Sequence, residues 1–287
     1  MNYRHAYHAG NFADLVKHAV LVRIVEYLKR KDKAFRVVDT HAGIGVYDLS
    51  SPEAQKTGEW RTGIGRLVEA RLDPQTANLL NPLLDAVRAV NQEGGVLRYP
   101  GSPRIARHLL RKQDRLTAIE LHPQDAAVLK AEFAGDFQTR VIELDGWLAL
   151  GAHLPPKERR GLVLIDPPFE KEGEFERVVA GLEKAHHRWP GGLYAVWYPI
   201  KDHQAVARFR AALAESGIAD IVDIRLEVRP PSPEPRLDGT GVILVNPPYV
   251  LEEEMRVLLP ALADLLGEDG RGRAAFTRLT GEDGRAS

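Results

Sequence analysis

Seven short apolar runs recur along the chain, at residues 35–38, 116–119, 139–142, 162–165, 193–197, 221–228 and 241–245. Their length and composition predict strands. Stretches with apolar residues at helical spacing separate most of them, at about 123–133, 175–188 and 203–216. A further helix precedes the first strand and ends near residue 30. Asn11 is suited to cap it, Asp14 sits in a capping-box-like position, and Leu15, Ala19, Val22 and Leu28 fall near one face. Ser102 as N-cap and Pro103 as first helical residue start another. This alternation predicts an α/β fold with a doubly wound, mostly parallel sheet. Only the proline-rich loop 230–235 joins the sixth and seventh strands, so these two should pair antiparallel.

The alternation breaks once. Two helical patterns, 58–71 and 74–92, follow each other with no strand between them. They predict a helical insertion subdomain at 47–98, inside a Rossmann-like domain formed by 1–46 and 99–287. The tail after Gly267 is rich in Gly, Arg, Glu and Asp and is expected to be partly disordered.

Composition narrows the function classes. The chain has 287 residues and no cysteine, which excludes disulfides and thiolate metal sites. No His/Asp/Glu grouping has metal-ligand spacing, so no metal is expected. No apolar stretch approaches the roughly 20 residues of a membrane span. A soluble, cytoplasmic monomer with no membrane contact is the expectation. The net charge of -1 is unlike that of a protein that coats nucleic acid, but it allows local basic patches. Arg4, His5, His8, Lys17 and His18 form one. Arg104, Arg107, Arg111 and Arg115 form another at helical spacing, which reads equally as a solvated face or as an RNA contact.

Candidate chemistry concentrates in Asp166-Pro167-Pro168-Phe169, directly after the fourth apolar run. Two prolines end the strand and stiffen the backbone, since neither has an N–H. A carboxylate is left at the strand's carboxyl end, where open α/β sheets bind ligands. With the proline carbonyl and the Phe169 ring, it can hold a planar base that carries an exocyclic amine. Such an amine is a poor nucleophile. The acceptor would orient it, stabilise developing positive charge and take the proton afterwards.

Acids also end the first three strands, at Asp39, Glu120 and Asp145. An acid after the second strand suits the hydroxyls of a ribose, and Asp145-Gly146 suits an adenine edge. The turn Asp39–Gly45 carries Gly43 and Gly45, but Asp48 stands where a dinucleotide fingerprint needs a third glycine. That argues against a nicotinamide dehydrogenase. The layout is that of a class I S-adenosylmethionine-dependent methyltransferase. Asn246-Pro247-Pro248-Tyr249 also matches the amine-methyltransferase motif. It follows the seventh strand, whose antiparallel direction puts it at the opposite sheet edge, so Asn246 reads as structural and Asp166 as catalytic.

Several motifs then carry a closer resemblance. The block Tyr3–Asp14 with Lys17-His18 resembles the RlmJ family of 23S ribosomal RNA adenine-N6 methyltransferases. So do Asp39–Gly43, Tyr99–Pro103, Glu120–Pro123, Asp145-Gly146, Ile165–Pro168 and Trp197-Tyr198-Pro199. The match extends to about Leu265. The resemblance implies a class I fold of seven strands with an antiparallel seventh. It implies S-adenosylmethionine contacts from His18, His41, Ser102, Glu120, Asp145 and Gly146. Asp166 would accept from the flipped base's amine, with Pro167 and Phe169 beside it. Tyr3 would touch the 23S ribosomal RNA substrate, with Lys17 as a further contributor. The family commonly has Tyr where Phe169 stands, so stacking is kept and the hydroxyl is lost. A DNA adenine methyltransferase and a non-catalytic RNA-binding assembly factor are the competing readings. His5 and His8 read as local hydrogen-bonders, Trp147 and Trp189 as packing, and Asp39 as orienting the glycine turn.

Overall fold

The structure, a computed structural model, describes residues 5–234 and 236–284. Helix α1 (Phe12–Lys29) starts as its sequence dictates, with the Asn11 side chain accepting from the Asp14 N–H. Strand β1 (Arg36–Asp39) follows, and then the short strand β2 (Val46–Asp48). The insertion holds α2 (Pro52–Thr57), an irregular turn at 61–65, α3 (Arg66–Glu69) and α4 (Pro74–Ala89), and closes with β3 (Arg98–Pro100). Next come α5 (Ser102–Leu109), β4 (Arg115–Glu120), α6 (Pro123–Glu132), β5 (Thr139–Glu143), α7 (Gly146–Ala152) and β6 (Gly161–Ile165). The last third holds α8 (Glu174–Arg188), β7 (Leu193–Ile200), α9 (His203–Glu215), β8 (Ile221–Glu227), β9 (Gly239–Val245), α10 (Leu251–Leu266) and β10 (Arg273–Thr280).

The sheet order is β5-β4-β1-β6-β7-β9-β8-β10. The first five of these are parallel. β9 runs antiparallel to β7 and β8, as the missing helix before it predicts. This is the class I arrangement with one strand added. The sheet has eight strands instead of seven, because β10 pairs antiparallel with β8. The tail expected to be disordered supplies it. Its charged residues hide a strand-forming segment around Phe276 and Leu279, anchored where the Thr280 hydroxyl donates to the Ile218 carbonyl and accepts from the Ile221 N–H. Helices α1, α4, α5 and α10 cover one sheet face, and α7, α8 and α9 cover the other.

The insertion is framed by the ribbon β2–β3, with Tyr47 opposite Tyr99, whose three-residue strands carry no periodic signal. Two further expectations are corrected. The helical pattern at 58–71 is broken because Gly63 must approach the N-terminal block. A Cβ there would lie 2.1 Å from the Gly10 carbonyl oxygen, which also accepts from the Ile64 N–H at 2.8 Å. The four arginines share no helical face, since α5 ends at Leu109. Arg104 and Arg107 pair with Glu132 and Asp136 on the neighbouring segment.

Candidate active site

Parallel pairing of β1, β4 and β6 brings their carboxyl ends into register, so Asp39, Glu120 and Asp166 converge at one edge. A cavity of about 340 Å³ opens there. Its lining includes Lys17, His18, His41, Ser102, Glu120, Asp145, Gly146, Asp166 and Pro167, each singled out in the sequence. Phe169 is not in the lining. It sits at φ 50°, its ring against Phe175 at 5.0 Å and Trp197 at 5.8 Å. Tyr3 lies outside the described residues.

The Asp166 end of the cavity is organised by α1. Lys17 Nζ donates to Asp166 Oδ2 at 2.5 Å and pairs with Asp14 Oδ1 at 2.9 Å. Burial alone would push the ammonium towards neutrality, but these two carboxylates more than offset that and hold its pKa above its ordinary value. Asp14 is buried as well. Burial raises its carboxyl, yet His5 at 3.0 Å and Lys17 pull it well below the usual range. The other Asp166 oxygen has no hydrogen-bond partner among the described residues, so one acceptor position faces the cavity. The sequence marks Asp14 as the capping-box partner of Asn11 and as part of the N-terminal block, not as a partner of Lys17. What marks its second role is its place three residues before Lys17, one turn along the buried helix face.

The opposite wall carries Glu120 and Asp145 at the ends of β4 and β5. Glu120 accepts from the Gly43 N–H at 2.9 Å and the His122 N–H at 2.8 Å, one on each oxygen, with lone pairs to spare. Burial raises its pKa. Asp145 caps α7 through the Trp147 N–H at 2.8 Å. Gly146 is required here, since a Cβ would lie 2.3 Å from the Thr40 carbonyl oxygen and 2.9 Å from the His41 ring. Ser102 is not the helix cap; Gly101 is. Its hydroxyl donates instead to Asp39 Oδ2 at 2.7 Å. Asp39 also accepts from the His41 N–H at 3.4 Å, which suits the turn-orienting role expected of it. Burial pushes its pKa up to about 7. Trp147 packs edge-on to His41 at 5.7 Å and lines the cavity, whereas Trp189 is core.

His18 is the clearest sign that the cavity receives a ligand. Its Nδ1 lies 2.8 Å from the hydroxyl of buried Tyr99, and its Nε2 is buried without a partner. Burial lowers its pKa to about 3, so the ring is neutral at working pH. Tyr99 finds no other acceptor among the described residues, so its hydroxyl donates to Nδ1 and leaves Nε2–H as a donor. His41 is lowered to about 4, again by burial.

These histidines set an acid limit. Both have folded pKa values below the ordinary value near 6.5, so the unfolded chain binds more protons as pH falls, and stability is lost from about pH 6.5 down towards 4. Asp39, raised to about 7, acts the other way over the same window, gaining stability as pH falls. The histidines outweigh it. A net loss on the order of 3 kcal/mol is expected in urea unfolding between pH 6.5 and 4. His18→Asn should flatten that slope; an unchanged slope would show that His18 is not the buried neutral group described.

Asn246 sits at the other sheet edge, since β9 pairs its last residue Val245 with Tyr194 near the start of β7. Its side-chain amide donates to the Pro190 and Gly192 carbonyls, both at 2.7 Å. Asn246→Ala should therefore cost about 1–2 kcal/mol of stability and leave the cavity's ligand affinity unchanged within twofold by calorimetry.

A class I methyltransferase fold, with Asp166-Pro167-Pro168 lining a cavity at the carboxyl edge of its sheet, is what these elements define. The family model for "Ribosomal RNA large subunit methyltransferase D, RlmJ" matches residues 32–279, and the chain belongs to that family. A curated Escherichia coli protein, "Ribosomal RNA large subunit methyltransferase J", is 43% identical over 282 residues, covering 98% of this chain and 100% of that protein. A Haemophilus influenzae protein of the same name is 42% identical over 283 residues, with the same coverage. A crystal structure of a Legionella pneumophila protein superposes with a TM-score of 0.86 at 33% identity, covering 94% of this chain and 98% of that one. No helix among the described residues is long and apolar enough to cross a membrane.

Proposed function

We propose that the chain methylates N6 of a specific adenine in 23S ribosomal RNA, using S-adenosylmethionine, and that Asp166 receives the target amine. The observation that carries this reading is the free Asp166 oxygen at the end of β6, in one cavity with Glu120, Asp145 and the unpartnered His18 Nε2. Membership of the large-subunit ribosomal RNA methyltransferase family supports the substrate class.

The donor set fits the cofactor. Glu120 would accept from its ribose hydroxyls and Asp145 would take the edge of its adenine. His18, His41, Ser102 and Gly146 would complete the contacts. When bound, the cofactor supplies an electrophilic methyl group. The chain's own residues do the rest. Asp166 accepts from the exocyclic amine through the oxygen Lys17 leaves free, and Pro167 keeps the turn rigid. Asp166 stabilises positive charge as it develops on the nitrogen and then takes the proton. Lys17, held by Asp14, keeps the carboxylate aimed. Phe169 is proposed as the base's stacking partner, reached by rotation from its present packing on Trp197. Tyr3 is the proposed RNA contact. The base must leave its stack to reach this depth.

The test is transfer of labelled methyl groups from S-adenosylmethionine to unmodified large-subunit ribosomal RNA and to adenine-containing duplex DNA. Label in RNA alone is expected. Label in DNA alone would replace this reading with the DNA adenine methyltransferase.

A further inference from the structure

The end of the sheet opposite the cavity carries cations that the site does not use. Residues 29–33 read Lys29-Arg30-Lys31-Asp32-Lys33 in a chain of net charge -1. Two more cations hold this segment. Arg111 donates to the carbonyls of Lys29, Lys31 and Lys33 at 3.2, 3.0 and 3.3 Å. Arg160 donates to the Lys33 carbonyl at 2.8 Å and to that of Leu28. Both guanidinium groups lie over the buried ring of Phe35, at 5.6 and 5.7 Å.

The same end carries an exposed aromatic ring. Phe137, just before β5, is 75% exposed, with the Arg115 guanidinium 5.7 Å from its ring centre. Gln138 ties it to the basic segment by donating to the Arg111 and Asp114 carbonyls at 2.7 and 3.1 Å. The parallel register places Phe137 level with Phe35, two residues after Lys33, with only β4 between β5 and β1.

Glu26 pairs with Lys29 at 2.7 Å and Glu254 with Arg30 at 3.4 Å, but the other acids nearby do not neutralise the remaining cations. Asp114 is buried and bound by Arg111, and Glu158 is bound by Arg36. Asp32 is fully exposed and only 4.0 Å from Arg111. Lys31, Lys33 and Lys112 are exposed and have no ion pair among the described residues. Holding like charges together in this way costs free energy that a polyanion would recover. Cations beside an exposed ring suit a single strand, which lays phosphates on the cations and stacks a base on the ring. Tyr249, though 80% exposed, borders Glu252, Glu253 and Glu254 at the start of α10, which repel phosphate.

We propose that this end of the sheet is a second RNA-contact surface, holding an unpaired stretch of the substrate RNA away from the methylated base. Phe137 stacks a base, and Lys31, Lys33 and Lys112 meet phosphates. The inference rests on the RNA reading of the cavity but not on which atom is methylated.

The test is equilibrium binding of the full chain, without cofactor, to unmodified large-subunit ribosomal RNA and to a short hairpin carrying the target adenine. Lys31→Glu combined with Lys33→Glu should weaken the long RNA about tenfold. It should also lower the slope of log affinity against log salt by about 1.5. Phe137→Ala should weaken the long RNA at least about fivefold, and Phe137→Tyr should restore it. Hairpin affinity and thermal unfolding should not change in any of these variants. Unchanged affinity for the long RNA in the lysine or the Phe137→Ala variant overturns the proposal. So does an equal loss on the hairpin, which would put the contacts at the cavity mouth. No methyl transfer is read, so failure of the adenine-N6 reading would not produce unchanged affinity for the long RNA.

Discussion

Asp166→Ala is expected to lower methyl transfer by about a thousandfold or more in a protein that stays folded and keeps its cofactor affinity within severalfold. In the proposed mechanism the carboxylate supplies the acceptor that orients the amine and the charge that faces the nitrogen as it becomes positive. Removing one preorganised electrostatic partner of this kind costs about 10²–10³ in rate, and loss of the proton acceptor adds to it. The fold should survive because Lys17 keeps Asp14, 2.9 Å away, as a buried counter-charge. The proposed cofactor contacts lie on other elements, so calorimetry should separate binding from transfer. A folded Asp166→Ala protein that retains a tenth of the rate would remove Asp166 from the chemistry. The Asp166→Asn change is less informative, since an amide still offers an oxygen, and Asn-Pro-Pro-Tyr motifs share the amine-methyltransferase pattern.

Glu120→Ala should weaken S-adenosylmethionine binding about a hundredfold or more. A carboxylate that accepts from two hydroxyls makes two charge-assisted bonds, each worth about 1.5–3 kcal/mol, and every 1.4 kcal/mol is tenfold in affinity. The same carboxylate also holds the Gly43 and His122 N–H groups, so its loss loosens the glycine turn as well. Glu120→Gln should fall between the two, since it keeps one oxygen acceptor but loses the charge. Calorimetry that finds Glu120→Ala within threefold of the wild-type chain would show that the nucleoside is held elsewhere.

Much of the sheet and the site was legible because both depend on short-range signals. Apolar runs ending in Asp39, Glu120 and Asp166 mark strands whose carboxyl ends must meet once the sheet is parallel. The missing helix before Gly239 correctly turned β9 around and separated Asn246 from Asp166. What stayed hidden depends on contacts remote in sequence. β10 is a strand because β8 offers an edge, not because its charged flanks suggest one. Ser102 bonds Asp39 across 63 positions, which no local capping rule reveals. The Asp14–Lys17–Asp166 chain joins α1 to the end of β6 across 149 positions, which the capping-box pattern at Asp14 does not reveal. Phe169 is the case in which local pattern and structure disagree: its neighbours in the motif line the cavity, while its ring packs on Phe175 and Trp197.

The most direct measurement is mass-spectrometric mapping of large-subunit ribosomal RNA after incubation with S-adenosylmethionine and either the wild-type chain or Asp166→Ala. A single N6-methyladenine, present with the wild-type chain and absent with the variant, is the predicted result. A methyl group on another base or atom, or one that persists at full yield with Asp166→Ala, would contradict it.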